Sequence, residues 1–161
     1  MPEKFASGLE DNAAKKMVGL LNERLADAID LANAVKQAHW NLKGPSFIGV
    51  HELLDDVADR VRENSDTIAE RCVILGGTAK GTSQNVVAAT SLEAYPDTIH
   101  DQQKHIVALT ERFKDFGAKC RDAIEAASEA GDEDTADLFT EVSRITDKDA
   151  WFIGAHKPVK D

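Results

Sequence analysis

Apolar residues recur at three- and four-residue steps over about residues 12–41, at Met17, Leu20, Leu21, Leu25, Ile29, Leu31, Ala32 and Val35. That spacing predicts a long helix with one buried face. Gly44-Pro45 ends it, and Pro45 suits the first turn of a second helix over about 46–75. The second stripe is Val50, Leu53, Leu54, Val57, Val61, Ile68, Cys72 and Leu75, stopped by Gly76-Gly77. A third helix is expected over about 97–128, with Ile99, Ile106, Leu109, Phe113, Phe116 and Ile124 inward. Gly131 breaks that pattern, and a fourth follows over about 134–156, carrying Leu138, Phe139, Val142, Ile145, Trp151, Phe152 and Ile153.

Residues 76–96 form one long connection rich in Gly, Ser and Thr, in which Val86-Val87-Ala88-Ala89 has room for a short helix. Short, long and short connections between four long helices predict an all-α four-helix bundle with one crossover, of the ferritin-like kind. An unrelated four-helix bundle is the alternative at this point. No internal repeat or linker divides the chain, so one domain spans 1–161, with 1–11 and 157–161 expected as flexible tails.

Charge narrows the function. Formal net charge is −10, which disfavours general attraction to DNA phosphates or an anionic membrane and favours cations. No apolar run approaches the roughly 20 residues of a membrane helix. The first residues, MPEKFASGLEDN, lack the basic-then-apolar order of a secretory signal. Cys72 and Cys120 both fall in helical patterns and are expected as buried reduced thiols, consistent with a cytoplasmic setting.

The candidate chemistry lies at the first helix break. Of five histidines, His39 and His51 bracket it, and Asp55 follows His51 by one helical turn. Asp66 and Glu70 form a second i,i+4 pair on the same helix. The steps 51–55–66–70 are 4, 11 and 4 residues, so all four lie along roughly one stripe. Asp55 and Asp66 are nevertheless about 16 Å apart along the axis, too far to hold one ion from one helix. A second, antiparallel copy would bring its Asp66 and Glu70 beside the first copy's His51 and Asp55, making two equal sites across a two-fold axis. Imidazole mixed with carboxylate suits iron, zinc or manganese. A zincin motif is excluded because the second histidine after His51-Glu52 is missing. No histidine has a Glu three residues before it, which argues against a di-iron centre within one chain.

The stretches Lys36–Asn41 (KQAHWN), His51–Asp55 (HELLD), and Asp66–Arg71 (DTIAER) through Leu75-Gly76-Gly77 resemble the Dps family, the starvation-induced mini-ferritins. Thr135-Ala136-Asp137 and Asp147-Lys148 before Trp151-Phe152 match as well, so the resemblance covers nearly the whole chain. It implies a hollow shell of twelve subunits that oxidises Fe(II), typically with hydrogen peroxide rather than oxygen, and stores ferric mineral. Its ferroxidase centre would take His39, His51 and Asp55 from one subunit and Asp66 and Glu70 from the neighbour. Trp40 becomes a candidate for intercepting stray oxidising equivalents, with simple packing as the alternative. Asp132, Glu133, Asp134 and Asp137 become candidates for an iron-entry pore, with capping of a helix start as the alternative. Some relatives bind DNA through lysine-rich tails. Here Lys4, Lys15 and Lys16 alternate with Glu3, Glu10 and Asp11, and Lys157 and Lys160 precede Asp161. Direct DNA binding is therefore expected to be weak or absent, and a nucleoid-compacting structural protein is the alternative function. His100, His105 and His156 are read as structural or surface residues.

Overall fold

The computed structural model describes residues 2–159. It contains α1 (Asp11–Asn41), α2 (Phe47–Ile74), α3 (Ser83–Ala89), α4 (Gln102–Glu129) and α5 (Glu133–Gly154). Helix α1 packs along α2 and α4 along α5; the two hairpins meet through α1 with α4 and α2 with α5, and α3 lies on α1. Among the described residues the only extended pairing is a single bridge between Lys43 and Asp101, so the four-helix bundle with a short crossover helix stands as expected. The apolar stripes close over Phe113, Phe116, Phe139, Met17, Leu21, Leu31, Leu54 and Ile68, all fully buried. Burial of such side chains is worth about 1.5–3 kcal/mol each.

Two glycines set the helix ends. Gly76 (φ 81°) and Gly131 (φ 76°) each follow a helix in the left-handed region. After each, the next residue's N–H reaches back into the helix, Gly77 to Cys72 O at 2.9 Å and Asp132 to Ala127 O at 3.0 Å. The orphan carbonyls of the last turn are thereby satisfied. At the second break Asp132 also caps α5, accepting from Thr135 N at 3.1 Å and Thr135 Oγ1 at 2.6 Å.

The structure corrects several boundaries and burial expectations. Helix α4 starts at Gln102, not near 97. Lys43 N–H donates to His100 O and Gln102 N–H to Lys43 O, both at 2.8 Å, which holds this strand-like stretch off the helix. The Asp101 side chain then caps α4 by accepting from Lys104 N at 3.0 Å. Ile99 consequently lies outside the helix. Pro45 sits in the turn before α2 rather than in its first turn. Trp151, expected inward, is 67% exposed.

Residues 4–6, expected within a flexible tail, are held to the bundle: Phe5 N–H and Ala6 N–H donate to Ile74 O at 2.9 and 3.3 Å. At the other end, the last two residues of the expected 157–161 tail, including Lys160, lie outside the described residues. Cys72 and Cys120 are free and buried as expected, and burial pushes the Cys120 thiol up to about 12. No described helix is long and apolar enough to cross a membrane.

The crossover is bound more firmly than its composition suggests. Fully buried Asp27 accepts from Ser91 N–H at 2.7 Å and Ser91 Oγ at 3.0 Å, and pairs with Arg24 at 3.0 Å. Arg112 on α4 donates to Glu93 O and pairs with Asp30 at 3.3 Å. Buried His105 accepts from the Tyr95 hydroxyl at 2.7 Å and donates from Nε2 to Ile99 O at 3.0 Å. Each bond satisfies a polar group on a segment that crosses the apolar bundle.

Candidate metal centre

His39 occupies the last turn of α1 and His51 the first turns of α2, so the tight 42–46 turn decides their separation. That turn is anchored at both ends. Lys43 pairs with the start of α4, and Ser46 N–H donates to Gln102 Oε1 at 3.1 Å. A side chain at Gly44 would stand 2.8 Å from Gln102 Cβ, so glycine permits the close approach. The two imidazoles stack with centroids 3.7 Å apart and planes 16° from parallel.

Their hydrogen bonds are reciprocal. His39 Nδ1 lies 2.7 Å from His51 O, and His51 Nδ1 lies 2.9 Å from His39 O. A carbonyl only accepts, so each Nδ1 carries the hydrogen and each Nε2 keeps a free lone pair in the neutral ring. This is the tautomer and orientation that a metal-binding histidine needs. Asp55 Oδ1 stands 3.5 Å from His39 Nε2. His39 is buried while the Asp55 side chain is half exposed, so the three groups form an edge open to one side rather than a closed cage.

Lys36, one turn before Trp40 on α1, places Nζ 2.5 Å from Asp55 Oδ1. Hydrogen bonding from Lys36 is the main reason the Asp55 carboxyl titrates below the usual carboxylate range, partly opposed by burial. Lys36 was part of a matched motif in the sequence, yet its role was not legible there, because the pairing spans 19 residues across two helices.

Asp66 and Glu70 are exposed near the other end of α2. Among the described residues no three His, Cys, Asp or Glu side chains converge closely enough to hold an ion. His39 stacks on His51 and its Nε2 faces Asp55, but the three do not close on a common point, and Asp66 and Glu70 do not join them within one chain. Trp40 is 68% exposed, with the Lys36 ammonium 5.6 Å from its ring. Of the candidate pore acids, Asp132 is buried, capping α5 and pairing with Arg71 at 2.6 Å. Glu133, Asp134 and Asp137 remain exposed. Sequence reasoning missed the Arg71–Asp132 pair and also Arg60–Asp149, in which Asp149 is fully buried against Arg60 at 2.7 Å. Both join helices distant in sequence.

A crossover four-helix bundle with a histidine–carboxylate edge at its first hairpin is a ferritin-like protein, and the ferritin-like domain profile matches residues 18–157. The chain is 51% identical over 153 residues to the DNA protection during starvation protein of Agrobacterium fabrum, covering 95% of this chain and 94% of that one. It is 33% identical over 149 residues to the protein of the same name from Mycolicibacterium smegmatis, covering 92% of this chain and 81% of that one. Its fold superposes on DpsA14 from Streptomyces coelicolor with a TM-score of 0.90 at 36% identity, covering 96% of this chain and 92% of the other. The chain belongs to the Dps family of DNA-protecting mini-ferritins.

Proposed function

We propose that this protein is a ferroxidase and iron store: it oxidises Fe(II) with hydrogen peroxide or oxygen at centres shared between two copies and holds the ferric product inside a shell of twelve. The observation that carries the reading is the reciprocal His39–His51 pair. It leaves two free Nε2 lone pairs, that of His39 standing 3.5 Å from Asp55 on an open edge. The second half of the ligand set, Asp66 and Glu70, lies eleven residues further along the same exposed stripe. In this reading iron is the substrate. Hard carboxylate oxygens hold Fe(II) and stabilise Fe(III) still more, while the imidazoles complete a shell that keeps room for the oxidant. Peroxide accepts two electrons, one from each of two Fe(II) ions, and its O–O bond breaks to give two hydroxide ions, so no hydroxyl radical is released. Trp40, beside His39 in the chain, is a candidate to absorb an unmatched oxidising equivalent.

Glu133, Asp134 and Asp137 remain the candidates for drawing Fe(II) toward the interior. Protection of DNA would then be chemical. Lys4 donates to Leu9 O and pairs with Asp11, both at 2.7 Å, so its charge is engaged at home rather than offered to phosphate. The competing function, physical compaction of DNA, draws no comparable support from the described surface.

Mixing subunits tests the shared centre. His51→Ala protein and Glu70→Ala protein should each lose fast iron oxidation. Dissociated together and reassembled, they should regain it, because half of the centres in hybrid pairs carry neither substitution. Hybrid pairs shown by mass spectrometry to form, yet inactive, would sink the proposal.

A further inference from the structure

The ligand pairing implies a register. If His51 meets Glu70 and Asp55 meets Asp66 of a second copy, residues on the facing α2 helices pair when their numbers sum to 121. That rule was set by four polar residues, but it also orders residues it was not built on. The large exposed apolar residues of α2 are Phe47, Ile48, Val73 and Ile74, and they pair as Phe47 with Ile74 and Ile48 with Val73. Asp59 pairs with Arg62, opposite in charge. An apolar patch at each end of α2 would therefore cover its counterpart, with complementary charge between them.

The patch at the C-terminal end of α2 is not made by α2 alone. Phe5, Ala69, Val73, Ile74 and Ala79 line a groove together with Glu70. Phe5 belongs to the N-terminal segment, whose N–H groups satisfy the Ile74 carbonyl at the end of α2. The segment lies so close to Gly76 that a Cβ there would be 3.1 Å from Pro2 O. The Lys4 links to Leu9 O and Asp11 close the stretch into a loop. Yet the Phe5 side chain is 69% exposed. An anchored backbone that presents a bare aromatic ring beside a candidate iron ligand has the form of half an interface.

We propose that the N-terminal segment is part of the contact between two copies: Phe5 forms one wall of an apolar groove beside Glu70 that receives the second copy's Phe47 and Ile48, shielding the shared iron centre from bulk water. This rests on the shared-centre reading above. In that arrangement the second copy's Phe47 brings its own His51 with it, since those rings stack at 5.0 Å. The N-terminal segment is then a structural element of the centre rather than an arm for DNA.

Cross-linking between differently tagged chains separates this proposal from the reading beneath it. Both natural cysteines are fully buried and do not compete. A Phe5→Cys chain assembled with a Phe47→Cys chain should join through a short bismaleimide, and an Asp59→Cys chain with an Arg62→Cys chain should do so as well. Linkage at 59/62 without linkage at 5/47 overturns the role of the segment and leaves the shared centre standing. Linkage at neither pair overturns the register, and both proposals with it. In the assembled protein, Phe5→Ser should also make anaerobic removal of Fe(II) by a hydrophilic chelator severalfold faster, and an unchanged rate would end the shielding role.

Discussion

Arg60 directs Nε–H and one Nη–H to the same oxygen of Asp149, at 2.9 and 2.7 Å, while Asp149 Oδ2 has no partner among the described residues. Burial raises the Asp149 carboxyl above its ordinary value, and Arg60 opposes that rise. The pair therefore matters most through what its rupture would cost. Arg60→Met should destabilise the fold by about 3 kcal/mol near neutral pH, because it strands a buried carboxylate. The sign with pH follows. Without Arg60 the folded-state carboxyl titrates higher still, so the variant's deficit should shrink as pH falls toward that raised value. Denaturant melts of both proteins at pH 7 and pH 5 measure this; a deficit that does not change with pH would contradict it. His39 and His51 illustrate the same scale differently. Their places in the chain marked them as candidate ligands, but only the folded hairpin shows that each one's backbone orients the other's ring.

Among the elements, the crossover departs most from its sequence appearance. A Gly-, Ser- and Thr-rich stretch reads as a slack connection, yet Asp27, Asp30, Arg112 and His105 bind it across the bundle. Those anchors sit on α1 and α4, so no local pattern within 76–96 reveals them. His105 makes the tie sensitive to acid. Burial lowers its affinity for a proton; the Ile99 hydrogen bond and Asp101 oppose that effect, and His100 adds to it. Its folded value lies below the unfolded value of about 6.5, so the unfolded chain takes up the proton first. The His105 contribution is complete above that pH and declines as pH drops toward the folded value. His105→Gln should melt lower than the parent at pH 8 but lose less on going to pH 5. Parallel melting curves against pH for the two proteins would refute the assignment. The start of α4 has the same cause as the crossover: Lys43, 58 positions before Asp101 in the chain, pairs with the residues that an apolar pattern alone assigns to the helix.

For the whole molecule, charge and assembly dominate. Every chain carries −10, and in the proposed shell that charge would repel DNA and attract Fe(II). Asp137→Asn should slow iron uptake at low ionic strength, with a smaller effect at about 0.15 M salt, where the Debye length is about 8 Å. Stopped-flow absorbance of ferric product reads this directly, and equal rates at low salt would remove Asp137 from the entry path. At about 0.15 M salt without divalent ions, the assembled protein should leave duplex DNA unretarded in a gel yet protect it from iron and peroxide. An Asp66→Ala/Glu70→Ala protein that still assembles should lose that protection. Retardation together with retained protection would favour compaction instead.

Helix number, the crossover and the break at Gly44-Pro45 were all legible in the sequence, because periodicity, glycine and proline act within a few residues, and so were the candidate ligands. The 4, 11 and 4 spacing also showed that one helix cannot bring all four groups to a single ion, since the helical rise is a fixed length per residue. Tertiary structure decided what depends on groups brought together from afar. It oriented the His39 and His51 rings and placed Lys36 on Asp55. It turned Asp132 from a pore candidate into a buried cap and held Phe5 at the end of α2. In each case the deciding partner lies on another element, and the contact exists only once packing has brought the two elements together.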